Sequence, residues 1–164
     1  MLFIARWTIP IAACALFLQP TAGRAETATI CGQRVEYTVT PPAADTPAAV
    51  RGFSGVWEGE TWIPGTTGSE LTMCIGFVVE RIAPDARVGA EYVWGNRIRS
   101  FGNGNSFAIK PGFRPWEGRV EGDVIHFTNR SGRRSFELRM TGANTMRGVY
   151  SSPDGRSDAI LNRR

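Results

Sequence analysis

Alternation of apolar and polar residues, the period of a β-strand with one buried face, extends over most of the chain after residue 52. It is clearest at 133–141, where Phe136, Leu138 and Met140 share one face and polar residues occupy the other. Similar runs occupy 53–62, 71–82, 87–94, 106–110, 114–121, 123–129, 145–151 and 157–162, separated by turn-forming residues. Glycines inside the runs, at 59, 76, 89, 118 and 148, indicate strongly bent strands. The pattern predicts an all-β protein built on an antiparallel up-and-down β-barrel of about eight strands, with a sandwich as the alternative.

Two of the runs also predict which side chains face the interior. The odd-numbered residues from Leu71 to Val79 are all apolar and share one face, as do the even-numbered residues of 88–94. No segment after residue 25 has an amphipathic helical period over ten residues, so we expect no substantial helix in the domain.

The first 25 residues follow a different pattern. Arg6 precedes an apolar run at 7–18, and small residues at 23 and 25 suit a signal-peptidase site. We therefore predict a signal peptide at 1–25, cleaved near Ala25, and a periplasmic or secreted protein. The sequence IAAC at 11–14 resembles a lipobox, so a lipoprotein anchored through Cys14 is the alternative. The apolar run continues past Cys14, which favours the signal peptide.

Residues 26–51 are interpreted as an N-terminal arm and a linker, and residues 52–164 as the barrel domain. Residues 34–39 alternate as a strand does, and prolines at 41, 42 and 47 make the linker stiff. Cys31 and Cys74 are the two cysteines that remain after removal of the leader. In an oxidising compartment an even pair predicts a disulfide, which would tie the arm to the second barrel strand. Two separate buried thiols are the alternative.

The charge of the mature chain gives little reason to expect nucleic acid as a partner. Removing Arg6 and Arg24 from the 19 basic residues leaves 17 against 15 acidic residues, a net charge of +2. No later stretch is apolar for 18 residues, so no transmembrane helix is expected in the mature chain.

The start of the first barrel strand resembles a known family. Gly55-Val56-Trp57 resembles the Gly-x-Trp signature of the lipocalin and calycin group, and 55–62 is similar to small exported bacterial barrels that open with Gly-x-Trp-x-Gly. The last two runs, 146–150 and 159–163, are similar to the closing strands of those barrels, so the resemblance covers 52–164. It implies a lipocalin-like barrel in which Trp57 packs at the closed end beneath an arginine of a late strand, either Arg147 or Arg163. We expect no counterpart within 52–164 of the C-terminal helix of larger lipocalins.

The aromatic residues suggest a ligand site. Tyr92 and Trp94 share a strand face, and with Trp116 and Phe136 they would line an apolar cavity at a barrel mouth. We therefore expect a non-enzymatic barrel that binds a small apolar or amphipathic molecule. Arginines at 97, 99, 130, 133 and 134 lie near turns, where they would anchor an anionic head group or simply be solvated. The alternative is a barrel filled by its own side chains that acts as a protein-interaction module, either an inhibitor or an envelope-assembly partner.

Catalytic and metal chemistry find little support. His126 is the only histidine, no Gly-x-Ser-x-Gly motif is present, and no zinc-binding cluster can be assembled once the cysteines are oxidised. An enzyme using the barrel interior is the third alternative. If Ile125 and Phe127 face the core, His126 points outward; if the cavity lies on the other side, His126 is a ligand-binding candidate. No cofactor is expected, although the resemblance to exported barrels that bind heme through one histidine makes heme at His126 an alternative.

Overall fold

The computed structural model describes residues 23–62, 72–100, 106–129, 131–153 and 155–164, with only the backbone for Trp62, 97–100 and 106–108. Twelve strands and one short helix lie within these residues: β1 (Ala25–Ile30), β2 (Gln33–Thr38), α1 (Ala48–Arg51), β3 (Gly55–Trp62), β4 (Thr72–Ile82), β5 (Arg87–Trp94), β6 (Arg97–Ser100), β7 (Ser106–Ile109), β8 (Gly112–Glu121), β9 (Val124–Thr128), β10 (Ser135–Gly142), β11 (Thr145–Ser152) and β12 (Gly155–Arg163).

Eight of the strands close into an antiparallel barrel. Its order is β3-β4-β5-β8-β9-β10-β11-β12, and β12 returns to pair with β3 from Ala159 opposite Thr61 to Arg163 opposite Trp57. Each barrel strand therefore pairs with its neighbours in chain order, apart from the β6–β7 insertion between β5 and β8. This strand order confirms the predicted all-β, up-and-down barrel. Because the barrel is fully closed, its main sheet has no unpaired edge.

The alternation along the strands decides what fills the barrel. Met73, Ile75, Phe77 and Val79 of β4 all belong to the central core, as the alternation predicted. The register shifts between Val79 and Arg81, and this β-bulge returns Ile82 to the interior three residues later. The even-numbered residues of β5 from 88 to 94 also face the core, and so do Phe136 and Leu138 of β10.

The two ends of the barrel differ in how they are closed. At the lower end, where β3 begins and β12 ends, Phe53 and Trp57 are fully buried. The linker contributes to this closure, because α1 lies within it and Val50 packs against the same core. The upper end is where β5 finishes at Trp94 and β8 begins at Gly112, which pair with each other.

The N-terminal arm is a β-hairpin that packs on the outside of the barrel. The turn between β1 and β2 consists of Cys31 and Gly32, both with positive φ, as two-residue hairpin turns require. Ile30 and Val35 of the hairpin form a second buried cluster with Val78 and Val93, which lie on the outer face of β4 and β5. The sequence predicted only the second strand, because in β1 Ile30 alone is buried and little apolar signal remains.

A disulfide joins Cys31 in the hairpin turn to Cys74 in β4, with the two Cα atoms 5.5 Å apart. The backbone N–H of Cys31 also donates a hydrogen bond to the Glu58 carboxylate at 2.7 Å. The hairpin is thus tied to the barrel covalently as well as by packing. The disulfide is compatible with an oxidising compartment.

One predicted barrel strand lies elsewhere in the fold, and two predictions fall outside the described residues. The run 106–110 was expected to be a barrel strand, but β7 pairs with β6 in a separate hairpin while β5 and β8 pair directly with each other. The first 22 residues of the predicted signal peptide at 1–25, and with them the lipobox at Cys14, lie outside the described residues. In the described part of the chain no helix is long or apolar enough to cross a membrane.

Candidate ligand-binding site

Four of the aromatic candidates meet at the upper end of the barrel. The Tyr92 ring centroid lies 5.4 Å from that of Trp94, 5.6 Å from Trp116 and 5.1 Å from Phe136. A fifth ring, Tyr150 of β11, lies 4.8 Å from Phe136. We call these five residues the upper aromatic cluster. Tyr150 was missed by the sequence reasoning, although its alternation with the buried Met146 and Gly148 would have placed it inside.

Burial within the upper aromatic cluster increases downward into the barrel. Tyr92, Trp116 and Phe136 are buried, whereas Trp94 and Tyr150 are only half-buried. Beneath them the fully buried Phe77 lies 5.1 Å from Tyr92 and 5.0 Å from Phe136, so side chains fill the space below the cluster. A ligand would therefore rest on the cluster from the upper end, and would not enter the middle of the barrel.

Trp94 is held in place by its neighbours. Its indole Nε1 donates a hydrogen bond to the backbone carbonyl of Lys110 at 2.7 Å. Its ring also lies against Gly112, where an added Cβ would come within 2.8 Å of the indole. A glycine opposite Trp94 thus lets the ring lie flat across the neighbouring strand, and this fixes one wall of the site before any ligand binds.

Arg114 is the polar group of the site that the sequence reasoning missed. It alternates with Trp116 on β8, so its side chain faces the same way, and its guanidinium carbon lies 5.6 Å from the Trp94 ring and 5.2 Å from the Trp116 ring. The Nε atom is buried and has no hydrogen-bond partner. The sequence could have identified Arg114 by its position, because it alternates with Gly112 and Trp116 and so lies on the inward face of the same strand.

Among the arginines expected at the rim, Arg133 and Arg134 are exposed, and the side chains of Arg97, Arg99 and Arg130 lie outside the described residues. Arg134 still acts electrostatically on the Tyr92 hydroxyl, as does Arg114. Burial is the main cause that raises the pKa of Tyr92, and Tyr150 raises it further; the two arginines lower it without reversing the shift. Tyr92 is therefore a neutral hydrogen-bond donor at ordinary pH.

His126 does not belong to this site, which corrects its place among the ligand-binding candidates. Its neighbours Ile125 and Phe127 are fully buried in the core, so His126 lies on the outer face of β9. Its side chain is 40% exposed, and its Nε2 lies 4.0 Å from the Glu121 carboxylate. The upper aromatic cluster therefore has no histidine to offer a heme iron.

At the lower end, Arg163 lies across Trp57. The guanidinium carbon is 4.3 Å from the ring, and the group donates hydrogen bonds to the carbonyls of Ser54, at 2.8 Å, and Gly52. Gly55 has φ of +121°, and a Cβ there would come within 2.9 Å of the guanidinium. Of the two arginines that the resemblance allowed, the structure selects Arg163, because Arg147 pairs with Asp158 on the outer surface. Gly55 and Trp57 thus act in closing the barrel.

A metal site has little support within the described residues. Only the Cys31 and Cys74 sulfurs with the Glu58 carboxylate bring three potential ligand atoms within 4.8 Å of one another. The two sulfurs are bonded to each other, so no thiolate is available for a metal ion.

No family model matches the chain, and no curated protein sequence matches it. Solved structures with a similar course include a redesigned β-barrel (TM-score 0.49, 12% identity, 74% of this chain and 99% of that one). A second is a de novo designed fluorescence-activating β-barrel, with a TM-score of 0.46 and 14% identity over 73% of this chain and 100% of that one. A third is a redesigned β-barrel bound to DFHBI, with a TM-score of 0.43 and 14% identity over 72% of this chain and 100% of that one. At these identities and TM-scores the likeness carries no information about a ligand of this chain.

Proposed function

We propose that this protein is an exported, non-enzymatic barrel of lipocalin-like type that binds a small apolar or amphipathic molecule at the upper aromatic cluster. The observation that carries the proposal is the convergence of five aromatic rings at one end of the barrel, with Trp94 and Tyr150 only half-buried. Aromatic rings offer large, rigid apolar surfaces at little cost in conformational entropy, and they are typical linings of small-molecule sites.

The polar groups at the cluster suit binding better than catalysis. Burial keeps the Tyr92 hydroxyl protonated, Trp94 donates its indole N–H to Lys110, and Arg114 offers only donors. None of these groups is a base at neutral pH, and His126 lies on the outer face. The groups therefore favour holding and orienting a molecule over moving its protons.

The competing proposal is a protein-interaction module, which calls for a barrel filled by its own side chains and for an exposed apolar patch where a partner docks. The dense packing beneath the cluster meets the first expectation. The large apolar side chains that are exposed among the described residues are Phe113 and Ile160, on β8 and β12, which are not neighbours in the barrel. These separated residues form no contiguous patch in the described surface, so we prefer ligand binding.

The test is a fluorescence titration with N-phenyl-1-naphthylamine, a neutral apolar probe, on the full chain in the form that its host produces. Saturable binding is expected, and Trp94→Leu should weaken it about tenfold, equivalent to about 1.4 kcal/mol of lost contact. Ile160→Ala removes apolar surface from the outer face, where Ile160 is 66% exposed, and serves as the matched control. Absence of saturable binding, or equal loss in both variants, would contradict the proposal.

Native mass spectrometry of the same preparation tests whether the protein is exported and whether it carries a small molecule. We expect a polypeptide beginning at Glu26, which would support export, with added mass from a carried small molecule. A mass that still includes the first 25 residues, recovered from the cytoplasm, would contradict export.

A further inference from the structure

Two arginines of the barrel face inward and rest on tryptophan rings, one at each end. At the lower end Arg163 lies over Trp57 and its donors reach the carbonyls of Ser54 and Gly52. At the upper end Arg114 lies against Trp94 and Trp116, but its buried Nε has no acceptor. The same combination of side chains is satisfied at one end and incomplete at the other.

A half-buried guanidinium whose Nε is buried without an acceptor is costly to keep. Removing a cation from water is compensated only when acceptors replace the lost hydration, and the indole faces supply only part of this through cation–π attraction. The two charged groups that influence the buried Tyr92 hydroxyl are Arg114 and Arg134, and both are positive. None of the ion pairs between described residues includes Arg114 or Arg134. Among the described residues, the upper end therefore presents positive charge and hydrogen-bond donors with no carboxylate paired to either arginine.

We infer that the ligand of the upper aromatic cluster is an amphipathic carboxylic acid, whose ionised head group accepts hydrogen bonds from Arg114 while its apolar part rests on the cluster. This inference rests on the proposed function, and it adds the chemical class of the ligand. A carboxylate suits the site because its two oxygens match two parallel N–H donors of a guanidinium edge, the Nε donor included. The neutral Tyr92 hydroxyl is a further donor in the same region.

The experiment compares ligands that differ only in the head group. Decanoate, decanol and decyl sulfate are titrated against protein loaded with N-phenyl-1-naphthylamine, at pH 7 and constant ionic strength. The wild-type protein should bind decanoate at least about tenfold more tightly than decanol, since one charge-assisted hydrogen-bonded pair typically contributes that much. Arg114→Met should abolish this preference, so that decanoate and decanol bind this variant within about twofold of each other. Arg119→Met, which removes an exposed arginine of the same strand, should leave the preference for decanoate unchanged.

The outcomes separate this inference from the function on which it rests. Saturable binding of the neutral probe without a preference for decanoate would overturn the inference and leave the proposed function standing. Absence of saturable binding of every compound would overturn both. Decyl sulfate binding as tightly as decanoate would overturn the assignment of a carboxylate in favour of a general anion site.

Thermal denaturation provides a second test, for the case in which a variant cannot be titrated reliably. Because Arg114→Met removes a half-buried cation whose buried Nε lacks an acceptor, its melting temperature without ligand should equal or exceed that of the wild type. Decanoate should raise the melting temperature of the wild type and of Arg114→Lys more than that of Arg114→Met. A marked drop in the stability of ligand-free Arg114→Met would show that the guanidinium is satisfied within the protein, and would overturn the inference.

Discussion

Replacing Arg163 by methionine tests the closure of the lower end. Methionine keeps an apolar stem of similar volume but removes the guanidinium, which stacks at 4.3 Å on Trp57 and donates to the carbonyls of Ser54 and Gly52. Hydrogen bonds from a charged donor contribute about 1.5–3 kcal/mol each, and a partly desolvated cation–π contact adds about 0.5–2 kcal/mol. Since one side chain makes all three contacts, the contributions do not simply add, and we expect the free energy of unfolding to fall by about 3–5 kcal/mol.

The control is Arg147→Met, the other arginine that the sequence allowed as the partner of Trp57. Its ion pair with Asp158 is exposed, with the arginine side chain 58% accessible, so the loss should stay below about 1 kcal/mol. Urea denaturation, followed by circular dichroism and tryptophan fluorescence, gives both free energies from the midpoint and slope. If Arg163→Met cost no more than Arg147→Met, the guanidinium would not close the barrel and the reasoning would be refuted.

Three further changes probe the hairpin, the outer face and the first barrel strand. Replacing Cys31 and Cys74 by serine opens a closure of 43 residues and should cost about 4 kcal/mol in urea denaturation; a loss below about 1 kcal/mol would mean that the hairpin and barrel do not unfold together. Burial and the charge of Glu80 raise the pKa of Glu91 above 4.5, so ionisation of Glu91 opposes folding as pH rises through its folded pKa. Glu91→Gln should therefore raise the melting temperature slightly at pH 7 and not below pH 4.5, and an equal gain at both pH values would argue against a titrating cause. Gly55→Ala, at φ of +121° and against Arg163, should cost about 2–4 kcal/mol in chemical denaturation, and a neutral effect would show that the backbone at the start of β3 adapts.

The strands of the barrel could be predicted because most have one buried and one exposed face, which leaves a period of two in the sequence. That period correctly assigned the interior residues of β4 and β5 and placed Tyr92 and Trp94 on the same face. It assigned 106–110 to the barrel wrongly, because a short alternating run looks the same in a barrel as in the separate β6–β7 hairpin. It missed β1 for the opposite reason, since a strand in which only Ile30 is buried leaves almost no apolar signal.

The sequence by itself determined the elements of this protein: alternating strands, turns between them, a pair of cysteines and a tryptophan after Gly55. Only the tertiary structure decided that β12 closes on β3, that Arg163 rather than Arg147 covers Trp57, and that His126 faces outward. It also decided the surroundings of Arg114, whose charge the sequence does not distinguish from that of the other arginines and which the structure places against two indole rings. The physical reason is that alternation depends on each residue's own burial, whereas a site depends on groups distant in sequence that share one desolvated space.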